Sequence, residues 1–503
     1  MGITFLSAIA GGTAAGYYGF GLFSGSRNGT GLVFCLFAAF LILSLFRALE
    51  SLRKARLLAG GADPCRQLKR FSLLFLFFST GFSLGIGAAA SVPRNLSLAL
   101  PQERVNGLRG TLLDDPRSSA GGNGMAYLAL DTALGAGGLR SSARGKALVF
   151  FPPEHIPALK EFGRKSAVYV EGSFIPGGEG REPFFRASAV HVVRAAPVLE
   201  SFRTVVRLGI AGRFVRGGVN WGGMALALLL GIRDDLDTDL ARSYRDAGSS
   251  HVLALSGMHL AVLSSIVAFL LRRSLGLKAS VAAGAVFIIL YVFLVGPQPS
   301  LLRAAVMYLI GAFAVFRSLK REPLSFLNLA FIVQILLWPE SGTSISFILS
   351  YLALWGILRA GPLFRRLFRG MIPESLLEPL SASLGAFLAT GAVTAAFFGV
   401  LRPVGIVAGL LIVPLTTLFM TGSLVWLVSG FVPVPGSLGR LLAGILSFLY
   451  RVLEQIVSAA SRAPGFTSPG WIPVLAGSLL VFSLLWYLDR RKRIASARLI
   501  PLP

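Results

Sequence analysis

Gly248 to Leu263 reads GSSHVLALSGMHLAVL, and this stretch decides how the chain is interpreted. It reads as one apolar helix opening on Gly248, Ser249 and Ser250 and carrying His251, Ser256 and His259. Ionisable and polar groups in a membrane-like run cost free energy unless they face protein or water, so they mark candidate functional positions. On one straight helix Ser256 and His259 share a face, while His251 lies about 12 Å along the axis from His259. One metal ion cannot take both imidazoles at that separation, so no metal site is expected. Three readings stay open: a hydrated substrate path past His251, Ser256, Gly257 and His259; close helix packing over Ser256 and Gly257; and a Ser–His nucleophile pair. The last has no orienting acid in the span.

Working outward, the chain is a membrane protein by composition. Of its 503 residues, 54% are hydrophobic and 14% charged, and the mean hydropathy is +0.71. Apolar runs long enough to cross a bilayer lie near 3–23, 31–48, 71–91, 249–271, 276–296, 300–317, 323–338, 343–358, 381–400, 404–429, 436–460 and 471–488. The net charge of +25 alone does not make a polyanion binder, because much of it lies in short loops between the runs. Clusters at Arg47–Arg70, Arg272–Lys278, Arg317–Arg321, Arg359–Arg369 and Arg490–Arg493 fall in every second loop. That alternation predicts about twelve spans with both termini cytoplasmic. Runs 323–338 and 343–358 are short enough to pair as a re-entrant hairpin. The start of the chain has no basic secretory signal and reads as a retained span. Cys35 and Cys65, one in an apolar run and one in a basic cytoplasmic loop, are not expected to pair.

The expected organisation is a three-span region (1–98), an extracytoplasmic all-β domain (99–197), amphipathic or interfacial helices (198–248), a polytopic domain (249–490) and a cytoplasmic tail (491–503). Segments such as VNGLRGTLL, KALVFF and SAVYVEGSFI alternate apolar and polar residues between turns, giving about five strands. A barrel of that strand number is most simply OB-like. The run 222–232 is too short to span comfortably and reads as interfacial or re-entrant.

Further polar positions flank chain breaks. GPQPSLLRAAVMY (296–308) holds Gln298 between prolines, then Ser300 and Arg303. Irregular backbone at depth is tolerated where it is buried in protein or lines water. Arg303 either reaches inward, where it suits a passing phosphate, or snorkels to the outer interface. Ser346 and Ser350 lie four apart on one helical face, and Pro414 interrupts another span. Discontinuous helices with polar groups point to a pathway more than an inert bundle. In the β domain Arg109, Lys146, Arg164, Lys165 and Arg186, with Tyr127, Phe150, Phe151, Tyr169, Phe184 and Phe185, offer cations and stacking faces for single-stranded nucleic acid. Several of these rings must instead fill the barrel core. No GxxxxGK[ST] run is present, so the chain is not expected to power transport.

These motifs resemble the ComEC competence-channel family. Ala247-Gly248 followed by HVLALSGMHL resembles "aHLLAiSGLHv", LLLGIRDDL resembles "LLlGdr", and GPQPSLLRAAVM resembles "tGa.pSvlRA..M". LLWPESGTSISFILSYLALWG resembles "l..dP....s.gFqLSflAv.G", and AGLLIVPL resembles "aNllaiPl". Order and spacing agree from about 222 to 430. The resemblance implies a cytoplasmic-membrane channel passing single-stranded DNA inward during natural transformation. It also implies a receptor or pilus protein delivering the strand, with a cytoplasmic motor or single-strand-binding protein drawing it in. Ile348 stands where the family often has Gln, and Gly409 where Asn is usual. Many members end in a metallo-β-lactamase-like domain, whereas this chain ends soon after its last apolar run. Its four histidines, His155, His191, His251 and His259, cannot supply that domain's metal-binding run. No enzyme activity, cofactor or metal is therefore expected, and a separate nuclease is implied. The alternative is a membrane transporter or enzyme acting on a lipid or small molecule.

Overall fold

The computed structural model describes residues 2–23, 64–92, 96–119, 121–135, 139–176, 183–217, 219–320, 322–431, 436–467 and 470–498. The expected span at 31–48, Cys35, the basic residues 47–56 and the tail end at 499–503 lie outside the described residues. Helices α1 (Gly2–Phe23) and α2 (Pro64–Ser91) pack through Gly12, Gly16, Gly81 and Gly85. A Cβ on Gly12 would sit 2.1 Å from the Phe78 carbonyl oxygen, so the two backbones touch where small residues recur every four positions.

The next segment is a β domain. Its strands are β1 (Ser97–Leu98), β2 (Val105–Leu112), β3 (Arg117–Ser118), β4 (Gly124–Gly135), β5 (Arg140–Arg144), β6 (Lys146–Phe151), β7 (Ala167–Ile175) and β8 (Phe184–Arg194). Pairings run β2–β4–β6–β8–β7 and back to β2, so five strands close into a barrel. The β6–β8 pairing is parallel and the others are antiparallel. Helix α3 (Ile156–Phe162) links β6 to β7. Alternation drives this closure: Ala147, Val149 and Phe151 of β6, and Val168 and Val170 of β7, point inward with Leu108 and Phe185. Fully burying a Leu, Val or Phe side chain contributes roughly 1.5–3 kcal/mol.

Residues 198–253 form α4 (Val198–Arg216), α5 (Gly222–Leu230), α6 (Thr238–Asp246) and α7 (Ser250–Leu253). α4 is inverted relative to a soluble helix. Arg203, Arg207 and Phe214 are buried, whereas Val198, Phe202 and Val205 are exposed at 88%, 64% and 67%. An apolar outer face of this kind suits lipid. Every residue of α5 from Met224 to Leu230 is buried, and all but Ala227 belong to the central core. Both ends of the α4–α5 pair reach the barrel, through Arg164 to Glu200 and through Ser118 and Lys160 to Asp234. With nine residues, α5 is shorter than a bilayer crossing.

The polytopic region comprises α8 (Gly257–Val295), α9 (Pro299–Phe316), α10 (Pro323–Leu337), α11 (Ile345–Arg359), α12 (Gly361–Phe368), α13 (Glu374–Phe398), α14 (Val404–Ser429), α15 (Gly436–Ser461) and α16 (Trp471–Arg498). Among the described residues, seven helices are long and apolar enough to cross a membrane, with α11 and α12 acting as one. The count of twelve is not confirmed, since the run at 31–48 lies outside the described residues and α8 enters the seven as one helix. α10 has only 15 residues, short of a bilayer crossing.

α8 needs closer inspection. A straight 39-residue helix would be about 58 Å long. Yet the hydroxyl of Ser300, just past its C-terminus, donates to the carbonyl of Leu255, just before its N-terminus, at 2.7 Å. The ends meet because the chain folds back at Gly276, with φ 74° and ψ 177°. The two arms agree with the runs expected at 249–271 and 276–296, except at the beginning. There the chain is not one helix: Ala254 (ψ 135°) and Ser256 (φ −119°, ψ 165°) are extended between α7 and α8.

Candidate functional site

The site is built where two backbone breaks lie side by side. The first follows α6, whose N-terminus is capped by the Asp237 carboxylate accepting from the Asp239 and Leu240 N–H groups. Its C-terminus is held by Arg402, which donates to both the carbonyl and the carboxylate of Asp246 at 2.8 Å. Gly248 then turns in the left-handed region (φ 68°) against the Arg402 carbonyl, and α7 follows. The second break is Gly296–Pro299, between α8 and α9. Gln298 is extended there (φ −91°, ψ 140°) and N-caps α9. Ser300 ties the breaks together through the Leu255 carbonyl.

This geometry corrects the single-helix expectation for His251, Ser256 and His259. His251 sits on α7 with an exposed side chain, on the far side of the 254–256 break from the other two. Ser256 is the N-cap of α8 and His259 its third residue, joined in a capping box. The imidazole Nδ1 accepts from the Ser256 N–H at 3.1 Å. A nucleophile pair needs the serine hydroxyl on the imidazole, and here the imidazole is occupied by backbone instead.

Arg303 reaches inward, which removes the snorkelling alternative. Its guanidinium donates to the Ser350 carbonyl and lies 5.8 Å from the Tyr351 ring centre. Gly257 permits this, because a Cβ there would meet Arg303 Nη2 at 3.0 Å and Ala304 Cβ at 3.1 Å. Ser350 takes part through its carbonyl. Ser346, one turn earlier, is exposed and outside the cluster.

Two residues complete the network that sequence reasoning missed. Gln334 on α10 is fully buried, donates from Nε2 to the Pro299 carbonyl at 3.0 Å, and accepts from the Tyr351 hydroxyl at 2.9 Å. The available signal was a pair of amides, Asn328 and Gln334, inside the apolar run FLNLAFIVQILL. Ile348 packs in an apolar cluster with Phe331, Phe347 and Tyr351. Gly409 is buried on α14. Neither position supplies the polar lining usual in the resembled family. Among the described residues, no group of three or more His, Cys, Asp or Glu could hold a metal ion.

A second cluster joins the barrel to the same break. Arg203 is fully buried and donates to both carboxylate oxygens of Asp115, at 2.9 and 2.6 Å. It also donates to the carbonyls of Phe293 (2.9 Å) and Val295 (3.3 Å). Arg207 donates to the carbonyls of Leu230, Leu294 and Val295. Two cations thus satisfy the free carbonyls ending α5 and α8. Burial pushes the Asp115 carboxyl up, but the Arg203 hydrogen bonds and the Arg207 and Arg203 charges outweigh it and hold the group below the ordinary range. A carboxyl depressed in the folded state stabilises above its unfolded pKa, and that contribution is lost as pH falls through the folded value. Thermal unfolding followed against pH should therefore show this contribution level from neutral down to about 4 and declining below it. In Asp115→Asn the step should be absent.

The expected DNA-contact cations separate into two groups. Arg164 is corrected outright: it forms a bidentate pair with Glu200 at 2.8 and 3.0 Å and is 11% exposed. Lys165 Nζ also lies 3.1 Å from Glu200, and Lys146 lies 3.9 Å from Glu340. Arg109 and Arg186 are exposed on the barrel. Phe151 and Phe185 belong to the core. Across the sheet, Arg109 registers with Tyr169 and Tyr169 with His191, and those two rings stack at 6.3 Å. His191 had not been singled out for this face.

The model of the family described as Competence protein matches residues 228–491, a little over half of the chain. The chain belongs to the Competence protein family. The match includes both breaks, Arg303, Gln334 and Tyr351, and the barrel lies upstream of it. Within this family the chain is similar to ComE operon protein 3 of Bacillus subtilis (strain 168), 29% identical over 170 residues. That alignment covers 33% of this chain and 21% of the relative, so the chain matches about a fifth of that protein's length. No solved structure matches the chain.

Proposed function

We propose that this competence protein is a conduit in the cytoplasmic membrane that passes single-stranded DNA inward during natural transformation. The observation that carries the reading is the polar constellation of Ser256, His259, Arg303, Gln334 and Tyr351. It sits between two helix breaks inside the matched family region. Such breaks expose backbone dipoles and leave room that an uninterrupted bundle lacks.

The β domain supports the same reading. Five strands closed in the order β2–β4–β6–β8–β7, with a helix after the third, support an OB-type reading of the barrel. The row Arg109–Tyr169–His191 pairs a cation with stacked rings, as single-strand binders do. In this reading the barrel faces outward and receives the strand from a receptor or pilus protein. A cytoplasmic motor or single-strand-binding protein pulls the strand in, and strand degradation belongs to a separate nuclease. The chain itself carries out no covalent chemistry.

The test is the fate of fluorescently labelled DNA in competent cells lacking only this chain, with periplasmic and cytoplasmic label scored separately. Label held in the periplasm and missing from the cytoplasm is the expected result. Undiminished cytoplasmic label overturns the conduit and moves a small-molecule transporter or lipid enzyme forward.

A further inference from the structure

The first turn of α8 holds an electrostatic conflict. A helix N-terminus carries about half a positive charge, so it favours anions and disfavours cations. Arg303 nevertheless places its guanidinium against Gly257, the first residue of that helix. Its partners are one carbonyl and one aromatic ring, neither of which neutralises it. Among the described residues, the Arg303 Nε is buried with no hydrogen-bond partner. The first-turn N–H groups of Gly257 and Met258 have no acceptor within the helix.

His259 supplies an independent indication. Its side chain is fully buried and folds back over the same turn, with Nδ1 on the Ser256 N–H. That bond places the neutral ring's proton on Nε2, and among the described residues Nε2 has no partner. A buried polar group without a partner forfeits its hydration and gains nothing in return. Two orphaned donors beside one helix N-terminus therefore point to an absent acceptor.

We infer that the N-terminus of α8, with Arg303 and His259, is an anion site that takes one phosphodiester of the passing strand. The inference rests on the conduit reading and assigns it a place. A single phosphate oxygen cluster would satisfy the guanidinium, the imidazole Nε2–H and the first-turn N–H groups together. Binding there would be indifferent to base identity, as a conduit requires. Without an anion, the same groups repel cations.

The test is thermal unfolding of the full chain in a neutral maltoside detergent. Inorganic phosphate, a short oligothymidylate and an anionic phospholipid are added separately at constant ionic strength. The expected result is a rise in Tm of several degrees with phosphate and with oligothymidylate. Arg303→Gln should abolish it and Arg303→Lys should weaken it, with the phosphate-free Tm of Arg303→Gln no lower than wild type. If Arg303→Gln fails to fold, the Arg303→Lys comparison decides, and an undiminished rise there overturns the site. No rise in wild type, or an equal rise in Arg303→Gln, also overturns it. A rise with anionic lipid but not oligothymidylate reassigns the site to a headgroup and overturns the strand assignment. Failure of this site with protein-dependent DNA uptake intact leaves the conduit standing. An Arg303-dependent rise in a protein dispensable for uptake removes the conduit instead.

Discussion

Arg203→Ala is expected to destabilise the folded protein by about 3 kcal/mol, toward the lower end of the range for breaking a buried ion pair. The loss has two sources. Asp115 is left with Arg207 at 3.5 Å as its remaining guanidinium, and the carbonyls of Phe293 and Val295 lose a donor. Thermal unfolding in detergent would read the overall loss. Proteolysis of the 194–198 connection would show whether the barrel has come free. Arg203→Lys should rescue only part, because one ammonium cannot replace a fork that engages Asp115 and two carbonyls together. Unchanged unfolding and unchanged protection in Arg203→Ala would show that the barrel is held elsewhere.

Trp221→Ala is expected to cost about 3–5 kcal/mol, the range for emptying a large aromatic site in a core. Trp221 is completely buried at the turn between α4 and α5. Its ring lies 5.9 Å from Phe214, 5.9 Å from Phe419 and 5.2 Å from Trp426. Trp221→Phe should lose much less, since the indole Nε1 has no hydrogen-bond partner among the described residues and its removal leaves nothing unsatisfied. The same unfolding measurement ranks the two variants. Equal, small losses would mean that the α4–α5 turn is not packed as a core.

The long apolar helices among the described residues, the β domain and the matched motifs were legible because they depend on local pattern. Apolar length gives helices, alternation gives strands, and Gly276 ends an apolar run beside Arg272 and Arg273. What was not legible depends on partners distant in sequence. Ala254-Leu255-Ser256 has helical composition, and the break exists because Ser300 takes the Leu255 carbonyl. Arg164 looked like a free cation until the fold brought Glu200 to it. Gln334 carries meaning only once Pro299 and Tyr351 flank it. Placing His251 on the same helix as Ser256 and His259 failed for the same reason, while the Ser256–His259 pair stayed together as a cap.

The bonds from Arg203 and Arg207 to Phe293, Leu294 and Val295 have a mechanical consequence. The barrel and the Gly296–Pro299 break hang from the same short piece of backbone. A pull on the barrel reaches those carbonyls directly through Arg203 and Arg207, which also hold Asp115. Tension on the barrel is thus delivered to the break that precedes Arg303, with no second linkage needed to carry it.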